Sequence, residues 1–138
     1  MGEQLLIVED NRLLLELMKL KLENKGYRVK KAENGLDALN VVKRNKIDLI
    51  ISDIMMPEIS GLNLMSLLND YNTEKIPVIV MSSNDQESTI ASAKKLGAVD
   101  YIVKPVNFEE MCEKISYVLH SKNESKKETI PEHKKYIS

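Results

Sequence analysis

The sequence predicts a doubly wound α/β fold, in which helices cover both faces of a five-stranded parallel sheet. Short apolar runs alternate with longer stretches of helical periodicity, and five such βα pairs follow one another along the chain. Three of the runs are continuously apolar, as expected of strands that are buried on both faces. Right-handed crossovers between parallel strands then produce a three-layer sandwich.

The predicted strands are short and rich in branched apolar side chains. They span residues 5–8, 27–31, 48–52, 77–81 and 99–103. The second run alternates in polarity and carries three cationic residues, so we place it at an edge of the sheet, beside the first strand. We expect the strand order 2-1-3-4-5.

Helical periodicity lies between and after these strands. It covers residues 12–24, 36–45, 61–70, 87–96 and 107–120. Asn11 and Asn107 precede the first and the last of these helices and are suitable N-caps. Gly26 and Gly97 follow the first and the fourth, where a left-handed residue ends many helices.

Composition excludes several classes of protein. The 20 basic and 21 acidic residues nearly cancel, which argues against nucleic-acid binding through bulk charge. No apolar run approaches the roughly 18 residues of a membrane span, and the first residues do not resemble a signal peptide, so we expect a cytoplasmic protein without membrane contact. One cysteine and two histidines cannot form an internal disulfide or a zinc cluster.

The composition becomes polar and mixed in charge after residue 120. We therefore divide the chain into one domain, residues 1–120, and a polar linker or C-terminal tail, residues 121–138.

Ionisable or hydroxyl-bearing residues follow four of the five predicted strands. They are Glu9 and Asp10, Asp53, Ser82 and Ser83, and Lys104. Ligands of open parallel sheets bind at the carboxyl ends of strands, beside the point where strand order reverses, so we expect these residues to share one cleft. Three neighbouring carboxylates repel one another unless a cation neutralises them, and Mg²⁺ (or Mn²⁺) suits such oxygen ligands. Lys104 and Ser82 would contact an incoming anion, which favours phosphoryl chemistry.

Over residues 3–119 the chain resembles the receiver domain of two-component response regulators. The matching segments, in order, are Ile7 to Asn11, Asp48 to Pro57 with Gly61, Pro77 to Ser83, and Gly97 to Pro105. The resemblance implies a flavodoxin-like (βα)5 fold with Asp53 as the phosphoacceptor. It also implies that Glu9 and Asp10 hold Mg²⁺ together with Asp53 and the backbone carbonyl of Met55.

The same resemblance assigns roles to other residues around the cleft. Lys104 would contact the phosphoryl group, and the Lys104-Pro105 peptide bond would be cis. Ser82 would be the switch hydroxyl and Tyr101 the aromatic residue that changes rotamer, although simple packing explains Tyr101 equally well. Three residues stand at positions that contact the phosphoryl group or tune its lifetime: Ser83, Met55 and Asn84.

The resemblance implies a switching module and not an enzyme. Its partners would be a sensor histidine kinase or a histidine phosphotransfer protein and, after phosphorylation, a downstream effector on the face formed by residues 87–96, 99–103 and 107–120. Homodimer formation on phosphorylation is compatible with this scheme. Two alternatives stay open: a pseudo-receiver that only binds partners, and an aspartate-nucleophile phosphatase, which Met55 disfavours because a second acid is needed there.

The first predicted helix carries more leucine than one buried face requires. Leu14, Leu17, Met18 and Leu22 form the stripe expected to cover the sheet. Leu13 and Leu20 lie toward its outer edge, where they would either dock the phosphoryl donor or belong to a wide buried stripe.

Overall fold

Five parallel strands form the central sheet of the computed structural model, which describes residues 2–54, 76–83 and 87–121. The strands are β1 (Gln4–Val8), β2 (Arg28–Ala32), β3 (Leu49–Asp53), β4 (Val78–Ser82) and β5 (Asp100–Val103). The helices within the described ranges are α1 (Arg12–Asn24), α2 (Gly35–Arg44), α3 (Glu87–Lys95) and α4 (residues 108–121). The predicted helix at 61–70 and residues 122–138 lie outside these ranges.

The strand order is β2-β1-β3-β4-β5, which confirms the predicted doubly wound topology. Every neighbouring pair is parallel, and β1 lies between β2 and β3. The cation-bearing strand β2 is at an edge of the sheet, as its alternating sequence predicts. Strand β5 is at the opposite edge, where β4 is its one neighbour within the described part of the chain.

Apolar side chains fill a core layer on each face of the sheet. Leu5 and Ile7 of β1 point to one face, where α1 and α4 pack, whereas Leu6 and Val8 point to the other, where α2 and α3 pack. Successive side chains of a strand alternate between faces, so a continuously apolar strand supplies both layers. The three-layer sandwich therefore follows from these runs.

Local signals begin and end the helices where the sequence predicts. The side chains of Asn11 and Asn107 accept hydrogen bonds from backbone N–H groups of the first turn, at 3.1 Å in each case. Gly26 and Gly97 have φ values of +97° and +110°, the left-handed region that favours glycine.

The predicted stripe of α1 is wrong at Leu17 and omits Leu15, whereas Leu14 packs against the core as predicted. Leu15, Met18 and Leu22 are its buried residues, whereas Leu17 is 40% exposed and Leu14 only partly buried. With leucine on almost every side of this helix, periodicity does not determine which leucines face the sheet. No helix in the described ranges is long and apolar enough to cross a membrane.

Candidate functional site

Two acidic residues are brought together at the carboxyl edge of the sheet by the pairing of β1 with β3. Val8 pairs with Ser52, so the residues that follow these two, Glu9 and Asp53, lie side by side. Both side chains are buried, and Asp10 is exposed. The predicted meeting of strand ends is thus observed, at the point where the strand order reverses.

Lys104 reaches this carboxylate pair from the end of β5. Its Nζ lies 2.5 Å from Glu9 Oε1 and 2.7 Å from Asp53 Oδ2. The backbone N–H of Lys104 donates to the carbonyl of Ser82 at 2.8 Å, and the Lys104-Pro105 peptide bond is cis. One ammonium group therefore bridges two carboxylates that lie far apart along the chain.

Burial and hydrogen bonding act in opposite directions on each group of the bridge, and the net result is a raised pKa for both Glu9 and Lys104. Burial raises the pKa of Glu9, and the hydrogen bonds from Lys104 and from the N–H of Asn11 offset this only in part. Burial by itself would lower the pKa of Lys104, but its hydrogen bonds to Asp53 and Glu9 outweigh that effect and the pKa is raised. Lys104 is thus cationic at neutral pH, and Glu9 is the acid whose ionised form is costly.

The donor set fits a hard divalent cation. Glu9, Asp10 and Asp53 each offer a carboxylate oxygen, and these three atoms lie within 4.8 Å of one another. Mg²⁺ prefers oxygen ligands and keeps several waters, which suits a group with one exposed member. The second oxygen of Glu9 accepts the N–H of Asn11 at 3.0 Å, which orients this carboxylate at the start of α1.

The remaining predicted site residues are distributed as follows. Ser82 is buried at the end of β4 and follows Met81, which is the strand partner of Asp53. Ser83 is exposed. Tyr101 is 6% exposed and packs with the core layer on the α2 and α3 face. Met55 and Asn84 lie outside the described residues.

Leu13 and Leu20 lie away from the strand ends, on α1. They are 72% and 56% exposed, so the alternative of a wide buried stripe is wrong.

Lys114 of α4 contacts the Tyr101 region, a role that was not predicted from the sequence. Its Nζ lies 2.6 Å from the carbonyl of Tyr101 and 3.2 Å from Asp100. No local signal identifies such a lysine, because the contact depends on how α4 packs beside β5.

Comparisons with known proteins agree with this geometry. The family model for the response regulator receiver domain matches residues 5–116. Protein PilH of Pseudomonas aeruginosa is 37% identical over 117 residues, which cover 84% of this chain and 97% of PilH. Response regulator GtcR of Aneurinibacillus migulanus is 40% identical over 108 residues, 78% of this chain but only 43% of GtcR.

Solved structures show the same architecture. A two-component response regulator from Clostridium difficile superposes with a TM-score of 0.83 at 27% identity, covering 88% of this chain and 99% of that one. A CheY-like response regulator receiver domain protein from Methanospirillum hungatei gives 0.84 at 26% identity, with 91% and 99% covered. The chain belongs to the family of response regulator receiver domains.

Proposed function

We propose that this receiver domain accepts a phosphoryl group on Asp53 from a sensor histidine kinase or a histidine phosphotransfer protein. The observation that carries the proposal is the bridge of Lys104 Nζ to Asp53 and Glu9, with Asp10 beside them at the strand ends. A fixed cation next to a buried carboxylate is suited to a reaction that places a dianionic phosphoryl group on that carboxylate.

In the proposed transfer, a carboxylate oxygen of Asp53 attacks phosphorus in line with the bond to the donor histidine. The P–N bond breaks, its electron pair returns to the imidazole, and an aspartyl phosphate forms. Lys104 keeps its proton and contacts the phosphoryl oxygens, because its raised pKa holds it in the charged form. Ser82 and Ser83 would donate hydroxyl hydrogen bonds to the same group.

Glu9, Asp10 and Asp53 would hold Mg²⁺ (or Mn²⁺), with the carbonyl of Met55 as a further ligand. When bound, the ion would neutralise the acids and the phosphoryl oxygens. Asp10 is the most accessible of the three acids, while Glu9 is held by Lys104 and Asn11. Met55 and Asn84 would tune the lifetime of the aspartyl phosphate.

Signalling would follow from a two-state rearrangement of the molecular surface at the β5 edge of the sheet, which α3, β5 and α4 form together. The Ser82 hydroxyl would move toward the phosphoryl group, and Tyr101 would turn into the space left behind. Support for this step comes from the positions of the two residues on neighbouring strands, Ser82 at the end of β4 and Tyr101 on β5. A downstream effector, or a second copy of this chain, would bind the altered face.

The donor protein would dock on α1. Leu13, Leu17 and Leu20 follow one another at spacings of four and three residues and form an exposed apolar strip. We expect Leu13→Glu to slow phosphoryl transfer from a phosphorylated histidine protein at least tenfold. Phosphorylation by acetyl phosphate, which needs no docking surface, should be unchanged.

Leu36→Glu is the matched control, because Leu36 is a comparably exposed leucine on α2. Equal transfer rates for the two variants would refute docking at α1.

Intact-mass measurement tests the central proposal. The wild type, incubated with acetyl phosphate and Mg²⁺, should gain one phosphoryl group, and neither Asp53→Asn nor the metal-free wild type should do so. An adduct retained by Asp53→Asn would remove Asp53 from its proposed role. No adduct on folded wild type under any condition would favour a pseudo-receiver that only binds partners.

A further inference from the structure

Lys114 ties the last helix to the fifth strand. Its Nζ donates to the backbone carbonyl of Tyr101 at 2.6 Å and lies 3.2 Å from Asp100 Oδ1. The same carboxylate oxygen accepts the backbone N–H of Tyr101 at 2.8 Å. Both backbone polar groups of Tyr101 are therefore bound by side chains, one from β5 itself and one from α4.

The position of β5 in the sheet explains why these contacts matter. Among the described residues this edge strand pairs only with β4, so its other edge depends on side chains or water to satisfy the backbone. The Lys114 side chain is only 26% exposed, so its contacts are partly removed from water and are stronger than those of a surface pair. Lys114 thus fixes the peptide that carries the buried ring of Tyr101.

We propose that Lys114 is a positioning residue of the receiver switch, one that holds the Tyr101 peptide against α4. Any rearrangement that moves β5 relative to α4 must stretch or break its contacts with Tyr101 and Asp100. The lysine therefore favours the arrangement described above and opposes the switched one. This inference rests on the proposed function of Asp53 and Tyr101 and adds the residue that sets the balance between the two arrangements.

The affinity of the full chain for beryllofluoride, a mimic of the phosphoryl group, tests this role by calorimetric titration in the presence of Mg²⁺. Lys114→Met should bind beryllofluoride about three- to tenfold more tightly than wild type, because the opposing contacts are lost. Lys114→Arg keeps a charged donor and should bind much as wild type does. Lys114→Gln, with a neutral donor, should fall between them and replaces the Met variant if that variant does not fold.

Glu110→Gln is the matched control. Glu110 lies 3.4 Å from Lys114 on the same helix, and its substitution leaves the Tyr101 contact in place, so the affinity should not change. A merely structural role would lower the unfolding temperature of Lys114→Met or Lys114→Gln and leave its beryllofluoride affinity at the wild-type value.

Two results overturn the inference in distinguishable ways. The wild type must first bind beryllofluoride in a Mg²⁺-dependent manner. If Lys114→Met and Lys114→Gln then bind it with wild-type affinity, the role of Lys114 alone is refuted. A folded wild type that does not bind beryllofluoride would refute the proposed function, and the role of Lys114 with it.

Discussion

Replacing Lys104 with methionine removes the cation that bridges Glu9 and Asp53 but keeps most of the side-chain volume. Removing one partner of a fully buried ion pair costs about 3–5 kcal/mol. Glu9 is fully buried, but the Lys104 side chain is 21% exposed, so water replaces part of what its ammonium provides. We therefore expect the free energy of unfolding at pH 7 to fall by about 2–3 kcal/mol.

The loss should depend on pH in a direction set by Glu9. Burial raises the pKa of Glu9 above its ordinary value of 4.5, and without Lys104 the pKa rises further. Glu9 of the folded variant therefore binds a proton more readily than Glu9 of the unfolded chain. As the pH falls through the raised pKa toward 4.5, the free energy of unfolding of the variant rises toward that of the wild type. The difference from wild type should be largest near neutrality and smaller at pH 5.

The difference in the free energy of unfolding between wild type and Lys104→Met should persist up to about pH 10.5. Lys104 stabilises the wild type as long as it is charged, and its pKa is raised above 10.5 in the folded protein.

Urea unfolding followed by circular dichroism measures this difference, since the chain has no tryptophan for fluorescence. Lys19→Met is the matched control, because Lys19 lies 3.9 Å from Glu23 in a more exposed pair on α1. Its loss should be about 0.5 kcal/mol or less. The reasoning would be refuted if Lys104→Met were as stable as wild type at pH 7, or if its deficit were the same at pH 5 and pH 7.

Three further predictions follow from the same structure. Mg²⁺ at ten times its dissociation constant should raise the free energy of unfolding of the wild type by about 1.4 kcal/mol. Asp10→Asn should show a smaller gain at the same Mg²⁺ concentration. Equal gains in the two proteins would exclude Asp10 as a ligand. In urea unfolding, Leu15→Ala should lower the free energy of unfolding by about 2–5 kcal/mol, and Leu17→Ala by less than about 1 kcal/mol. The two differ because Leu15 is buried, whereas Leu17 is 40% exposed. Gly97→Ala should cost about 1–2 kcal/mol through its φ of +110° alone, because no heavy atom lies within 4 Å of the added Cβ; an unchanged unfolding midpoint would contradict this.

The bridging contact at the site connects stability with the proposed function. Glu9 is the acid that burial disfavours in its ionised form, and Lys104 offsets only part of that cost. The site proposed to accept a phosphoryl group thus holds buried charge that an apolar core would avoid. We expect substitutions here to change stability and phosphorylation together.

Sequence alone determined the sheet and the location of the site. Short apolar runs, three of them continuous, alternate with stretches of helical periodicity, and the rules of parallel sheets leave few topologies for five βα pairs. Because parallel strands end at one edge, the sequence alone assigns to one cleft Glu9, Asp53, Ser82 and Lys104. The capping residues Asn11 and Asn107 were likewise predictable, since N-caps act within one helical turn.

Only the tertiary structure decided which atoms meet. The contact between Lys104 and Glu9 joins residues 95 positions apart, and that between Lys114 and Tyr101 depends on how α4 packs beside β5. The buried face of α1 was also decided there, because a helix with leucine on most sides can present several faces to the sheet. Periodicity constrains the rotation of a helix about its axis only when its polar and apolar faces differ, and in α1 close packing against the strands selects Leu15 over Leu17.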